Sequence, residues 1–407
     1  MSRRIALHAA PAHRERPRLR PVVVRRATDY PEVPSPYLKI AQSYANPLWF
    51  GPPLCDELIA LVRHMFSEEE AELVQHIRSP LGKTAAAVAR AARRPVEEVR
   101  PVLDRVADEK SLLLSLGDGR RRRYHLLPLI PGVFELVLVR PSLEGLDGWH
   151  RRFAGLFAAL YDTGFFAVYS DQPVPLIRHL PVAQSIEAQP MALPSDRLEA
   201  VLKRYDVFAV GLCQCRLAER LLGRGCDSPL ETCVAFGSVA EVAIAKGKMR
   251  RIGMKDVLTI KAEAEDAGLV TWVLETHVGP LRAGTSCSCC GCCCHALRLI
   301  GQFDAPGLFA PPHFVPHLEA GRCVHCGRCA LVCPTGAIVV DAQSGSYQHL
   351  RERCIGCGLC VTACERGALH LEAELPHREL SPGLLSVALR AGPGYLHNVW
   401  AAWRGRR

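Results

Sequence analysis

Between residues 323 and 364 one cysteine pattern occurs twice, as Cys323-x-x-Cys326-x-x-Cys329-x-x-x-Cys333 and Cys354-x-x-Cys357-x-x-Cys360-x-x-x-Cys364. Each cysteine of the second run lies 31 residues after its counterpart, and the same offset pairs Gly336 with Gly367, Ala337 with Ala368 and Ile338 with Leu369. A copy that keeps both its sulfur spacing and its flanking apolar positions is a duplicated structural unit. Eight thiols held at fixed spacing constrain the fold of this segment more than its overall composition does.

Three close thiolates followed by a fourth suit a cubane iron–sulfur cluster, and in paired sites the fourth cysteine of each run serves the other cluster. The spacing therefore assigns Cys323, Cys326, Cys329 and Cys364 to one [4Fe–4S] cluster, and Cys354, Cys357, Cys360 and Cys333 to a second. Zinc favours two separated Cys-x-x-Cys pairs per ion. Disulfides would not require a triple followed by a fourth. These residues make the segment resemble the bacterial-type two-cluster [4Fe–4S] ferredoxins. Pro334 follows the first run as that pattern asks, while Glu365 stands where the second proline is expected and removes no ligand. The resemblance implies electron transfer, one electron per cluster.

At 407 residues the chain should form two to four domains, and an apolar fraction of 49% suffices to fold them. Its 19 cysteines cluster at metal-ligand spacing, which points to a reducing, cytoplasmic interior rather than a disulfide scaffold. No apolar run approaches the roughly 20 residues that span a bilayer, and the segment Ile5–Ala12, interrupted by His8, is a poor export signal. The formal charge is +9. Residues 1–26 carry eight arginines against one glutamate, and Arg404, Arg406 and Arg407 add three more, so residues 27–403 are left at −1. Basicity belongs to the ends, not to a nucleic-acid-binding body.

The fold class expected is α+β multidomain, in seven stretches. They are a basic disordered tail and linker (1–45), a winged-helix-like domain (46–140), a linker with a helix (141–181), a cysteine-rich α/β domain (182–300), a linker (301–320), the ferredoxin-like 2[4Fe–4S] domain (321–373) and a tail (374–407). In the second stretch, Leu58, Leu61, Val62 and Met65 have helical spacing. Ser67 with Glu70 forms a capping box, Thr84 starts an alanine-rich helix, and Pro95 opens another that Pro101 should kink. Leu112–Leu116, Gly117-Asp118-Gly119 and Tyr124–Leu127 read as a wing. Arg120–Arg123 would suit phosphates. The would-be recognition helix is too acidic for DNA, with Glu97, Glu98, Asp104, Asp108 and Glu109 against three cations. Cys55 reads as a core residue.

The middle stretch carries Asp206–Leu212 as a strand running into Cys213-Gln214-Cys215-Arg216. Cys226 and Cys233 follow, then a helix at Met254–Ala267, then Cys287, Cys289, Cys290, Cys292, Cys293 and Cys294. This order over about residues 45–375 resembles a family of iron–sulfur proteins that join a winged-helix-like segment, a Cys-x-Cys-Arg domain with a cysteine-dense end, and a two-cluster ferredoxin. Ten sulfurs exceed one site, and adjacent cysteines such as Cys289 and Cys290 point different ways, so a subset is expected to bind metal. A third iron–sulfur cluster, zinc, and thiol chemistry all stay open. Arg216 reads either as a partner of sulfur or as a surface salt bridge, Glu231 as a helix cap, and His295 as a ligand or a solvated side chain.

No phosphate loop, dinucleotide fingerprint or radical-SAM signature is present, so flavin or nicotinamide would sit on a redox partner protein. Tyr395, Trp400 and Trp403 suggest partner docking or packing. The expected function is an electron-transfer protein or oxidoreductase subunit. The alternatives are a redox-responsive DNA-binding regulator and a metal-delivery scaffold.

Overall fold

A computed structural model describes residues 21–77, 82–169, 178–187, 189–192, 196–278, 281–341 and 343–374, with Leu396 and Trp400. The basic start (residues 1–20), Tyr395 and Trp403 lie outside the described residues. The chain divides into two units. One comprises the described residues within Arg18–Val139 and Leu143–Tyr169, with Trp400, the other those within Arg140–Ser142 and Ser170–Leu396.

In the first unit a 3-10 turn (Ala27–Asp29) and helix α1 (Ser35–Tyr44) lie within the stretch 1–45, so its second half is folded. Tyr37, Ile40, Ala41 and Tyr44 are buried. In α2 (Asp56–Met65) the predicted apolar face is inside, and Cys55 is buried at its start. Helix α3 (Glu68–Val74) begins at the capping box: Glu70 N donates to Ser67 Oγ (3.3 Å) and Ser67 N to Glu70 Oε2 (2.8 Å). Strand β1 (Lys83–Thr84) leads into α4 (Ala85–Ala92), where Thr84 Oγ1 accepts from Ala87 N. Helix α5 (Val96–Asp104) runs through Pro101 and changes to π-type winding at Arg105–Glu109. Strands β2 (Leu114–Leu116) and β3 (Arg123–His125) form an antiparallel hairpin, and β1 adds to β3 in the order β1-β3-β2. Helices α6 (Phe134–Leu138) and α7 (Gly148–Tyr161) follow. Asp147 Oδ1 accepts from Trp149 N and His150 N at the start of α7.

In the second unit β4 (Arg178–His179), α8 (Ala183–Ile186) and α9 (Leu198–Leu202) precede β5 (Phe208–Leu212), which is buried throughout as its unbroken apolar run requires. Helix α10 (Gln214–Leu221) begins directly after Cys213. Strand β6 (Glu231–Gly237), α11 (Ser238–Ala245), β7 (Arg250–Ile252), α12 (Met254–Asp266), β8 (Val270–Val278), β9 (Leu281–Cys289) and α13 (His295–Gly301) complete this part. Six strands pair antiparallel in the order β4-β8-β9-β6-β5-β7. Val210, Val234, Phe236 and Val257 form the core between this sheet and α12.

The C-terminal segment carries β10 (Phe314–Leu318), α14 (Arg328–Leu331), β11 (Ile338–Asp341), β12 (Ser346–His349), α15 (Leu359–Thr362) and β13 (Leu369–Ala373). Helices α14 and α15, and strands β11 and β13, start 31 residues apart, the sequence offset. The strands pair across the repeat: β10 with β13 and β11 with β12. The two copies are therefore interleaved. Gly327 and Gly358 hold equivalent positive φ values of 74° and 75°, a conformation that favours glycine, immediately before each short helix.

Candidate metal centres

Interleaving of the repeats sorts the eight C-terminal cysteines into two sets. Cys323, Cys326, Cys329 and Cys364 line one cavity, with Val324, His325, Arg328 and Tyr347. Cys333, Cys354, Cys357 and Cys360 line another, with Pro334, Thr335 and Ile355. In each set three cysteines come from one run and the fourth from the other. Backbone amides face the fourth sulfurs in matching positions: Ala337 N donates to Cys333 Sγ and Ala368 N to Cys364 Sγ, both at 3.2 Å.

The donor chemistry of these cavities suits a cationic metal group. Burial is the leading influence on several thiols and favours their neutral form, pushing Cys329 and Cys354 up to about 11 and raising Cys357 and Cys360. A bound metal supplies the positive charge needed to make them thiolates. Glu365, the departure from the expected proline, forms an ion pair with Arg328 of the first run. Glu365 is largely and Arg328 partly exposed, so water screens the pair and it contributes little to stability.

The ten middle cysteines do not form one site. Cys226, Cys290, Cys292 and Cys293 gather into one group whose sulfurs all lie within 4.8 Å of one another. The other six, Cys213, Cys215, Cys233, Cys287, Cys289 and Cys294, form a largely buried thiol network in which Cys215 and Cys287 are partly exposed. In it, Cys294 Sγ lies 3.2 Å from Cys289 Sγ, Trp272 Nε1 donates to Cys289 Sγ (3.0 Å), and Cys215 Sγ is 3.5 Å from His295 Nδ1. Cys289 and Cys290 diverge as expected, whereas the adjacent Cys292 and Cys293 stay together at 3.3 Å.

Two buried cations face the six-thiol network. Arg216 is wholly inaccessible, and the surface salt-bridge reading is corrected by that burial. Its Nη1 donates to Ser288 O (2.8 Å) and its Nη2 to Thr232 Oγ1. Lys261 Nζ donates to Ser286 O (2.9 Å) and Ser288 Oγ (3.1 Å). Cys213 is held down at about 7, first by the Cys215 thiol and then by Arg216. Cys287 is held well below the usual thiol range by its contacts with Cys233 and Cys289, and Cys294 by its contacts with Cys215 and Cys289. Cys215 and Cys233 are raised by their thiol neighbours and by burial, and Cys289 by burial first. The network thus carries two buried protein cations of its own, whereas Arg328 at the first C-terminal cavity is partly exposed and paired with Glu365.

Two single-residue expectations change. Glu231 caps no helix: it is the first residue of β6 and pairs with Arg250 at 2.9 Å. His295 is buried at the start of α13 rather than solvated. Lys261 was missed, because an isolated lysine in an amphipathic helix normally faces water. Arg122, one of the arginines in the β2–β3 hairpin, is ion-paired with Asp104 and Asp108, and Arg123 donates to Gly82 O (3.1 Å).

All 19 cysteines are free of disulfides, and among the described residues no helix is long and apolar enough to cross a membrane. The family model of the 4Fe-4S dicluster domain matches residues 322–368. No curated protein and no solved structure matches the chain. The C-terminal segment is a ferredoxin-like iron–sulfur domain with a role in electron transfer.

Proposed function

We propose that the chain is an electron carrier or the electron-transfer subunit of an oxidoreductase, holding two [4Fe–4S] clusters in residues 323–364. Cys323, Cys326, Cys329 and Cys364 bind one, and Cys354, Cys357, Cys360 and Cys333 the other. The observation carrying this reading is that each crossed set of four cysteines lines its own cavity. When bound, such a group takes up and releases a single electron. The protein's part is to supply thiolates, orient the Ala337 and Ala368 amides toward sulfur, and limit water; amide hydrogen bonds and burial of this kind tune a cluster's potential.

The six-thiol network balances its charge with Arg216 and Lys261, so no cube is assigned there. The helix–strand–helix–helix–hairpin order supports reading the first unit as a winged helix, acting as a docking module for a protein redox partner. Engagement of Arg122 and Arg123 within the fold, and the acidic α5, favour that role over DNA binding. A reducing, cytoplasmic setting fits the 19 free thiols.

The test is a reductive titration of anaerobically purified full-length protein followed by EPR. About two electrons per chain are expected, and about one for Cys326→Ala. An unchanged electron count in a folded Cys326→Ala protein would overturn the ligand assignment.

A further inference from the structure

Cys226, Cys290, Cys292 and Cys293 differ in shape from the two C-terminal sets, and their dimensions limit what they can hold. Cys226 Sγ is 3.8 Å from both Cys290 Sγ and Cys293 Sγ, and Cys292 Sγ is 3.3 Å from Cys293 Sγ. The widest separation in the group is below 4.8 Å. A tetrahedral ion with metal–sulfur bonds of about 2.3 Å needs sulfur–sulfur edges of about 3.8 Å. A cube places each thiolate on its own iron, so its four sulfurs must stand wider apart than four that share one ion.

We infer that these four cysteines form a closed site for a single zinc-type ion. Its surroundings support this. Cys290 and Cys293 are buried, with Ala264 and Leu269 packed against them as an apolar wall. Arg220 fixes the loop that brings Cys226: its Nε donates to Cys226 O (2.9 Å) and its Nη2 to Ser228 O (2.7 Å). Such outer contacts orient a ligand before metal arrives. Four protein sulfurs leave no open coordination position, so the role is structural rather than catalytic.

The ion would tie the loop after α10 to the turn after β9. That turn contains Gly291, which abuts the ferredoxin-like segment so closely that an added Cβ would sit 2.3 Å from Pro334 O. Pro334 directly follows Cys333. The site therefore braces the sheet against the cavity lined by Cys333, Cys354, Cys357 and Cys360. This inference is independent of the electron-transfer reading.

The experiment is zinc, iron and acid-labile sulfide analysis of anaerobically purified full-length protein, with X-ray absorption at the zinc edge. About one zinc per chain, surrounded by four sulfurs at about 2.3 Å, is expected. Cys226→Ser should lower zinc retention against a chelator at least tenfold while leaving sulfide unchanged. Absence of zinc, a zinc environment poor in sulfur, or loss of sulfide together with iron in Cys226→Ser would each overturn the assignment. The absorption spectrum is read on the unaltered protein, so a poorly folding variant does not blunt the test.

Discussion

Replacing Arg216 by methionine removes a cation from a place that water cannot reach. The methionine approximates the length of the side chain but leaves Ser288 O and Thr232 Oγ1 without their donors. Hydrogen bonds from a charged group contribute about 1.5–3 kcal/mol each, so two predict a loss of about 3–6 kcal/mol. That range agrees with the cost of about 3–5 kcal/mol for removing one partner from a buried charged pair. For a unit of roughly 200 residues a loss of that size lowers Tm by roughly 6–24 °C. Arg216→Lys keeps the charge but not the forked geometry, and should fall between wild type and methionine. Urea unfolding can be followed by tryptophan fluorescence, since Trp272 donates directly to Cys289 Sγ. A thiol reagent should also count newly reactive cysteines in Arg216→Met under native conditions. A methionine variant within about 0.5 kcal/mol of wild type, with its thiols still protected, would refute the charge-balancing role.

Gly291→Ala should destabilise the second unit by about 1–3 kcal/mol, because its Cβ must displace the Pro334 backbone; unchanged urea unfolding would contradict that contact. His64 should titrate below the ordinary histidine value near 6.5, because burial outweighs its bond to Trp149 O. Its depressed folded value means that stability is complete above about pH 6.5 and is lost as pH falls below it. An NMR midpoint at or above 6.5 would refute this. Glu365→Pro restores the repeat's proline and removes the exposed pair with Arg328, so stability should change by less than about 1 kcal/mol in thermal melts.

The C-terminal architecture was legible because sulfur spacing, glycine positions and apolar positions all repeat at one offset. That offset reappears in the starts of α14 and α15 and in the amide contacts to Cys333 and Cys364. Ser67 with Glu70, Thr84 and the apolar run at Phe208–Leu212 likewise encode their elements locally. The partition of the ten middle cysteines was harder to read. Cys287 and Cys289 are two apart on β9 and so share a face, a signal that places both in the six-thiol network. Cys290 to Cys293 lie beyond the strand end, where alternation stops and the turn decides direction. Arg216 and Lys261 run against the usual exposure of charged residues; only the thiols gathered from β6, β9 and α10 make their burial intelligible. Glu231 shows the opposite failure. An acidic residue before a helical stretch resembles a cap, yet the backbone there is already paired as β6 with β5.

Iron and acid-labile sulfide per chain, measured on oxygen-free full-length protein, test the central claim most directly. Two cubes confined to the C-terminal runs predict about eight of each. Absence of sulfide would contradict the paired clusters, and about twelve of each would contradict their confinement to residues 323–364.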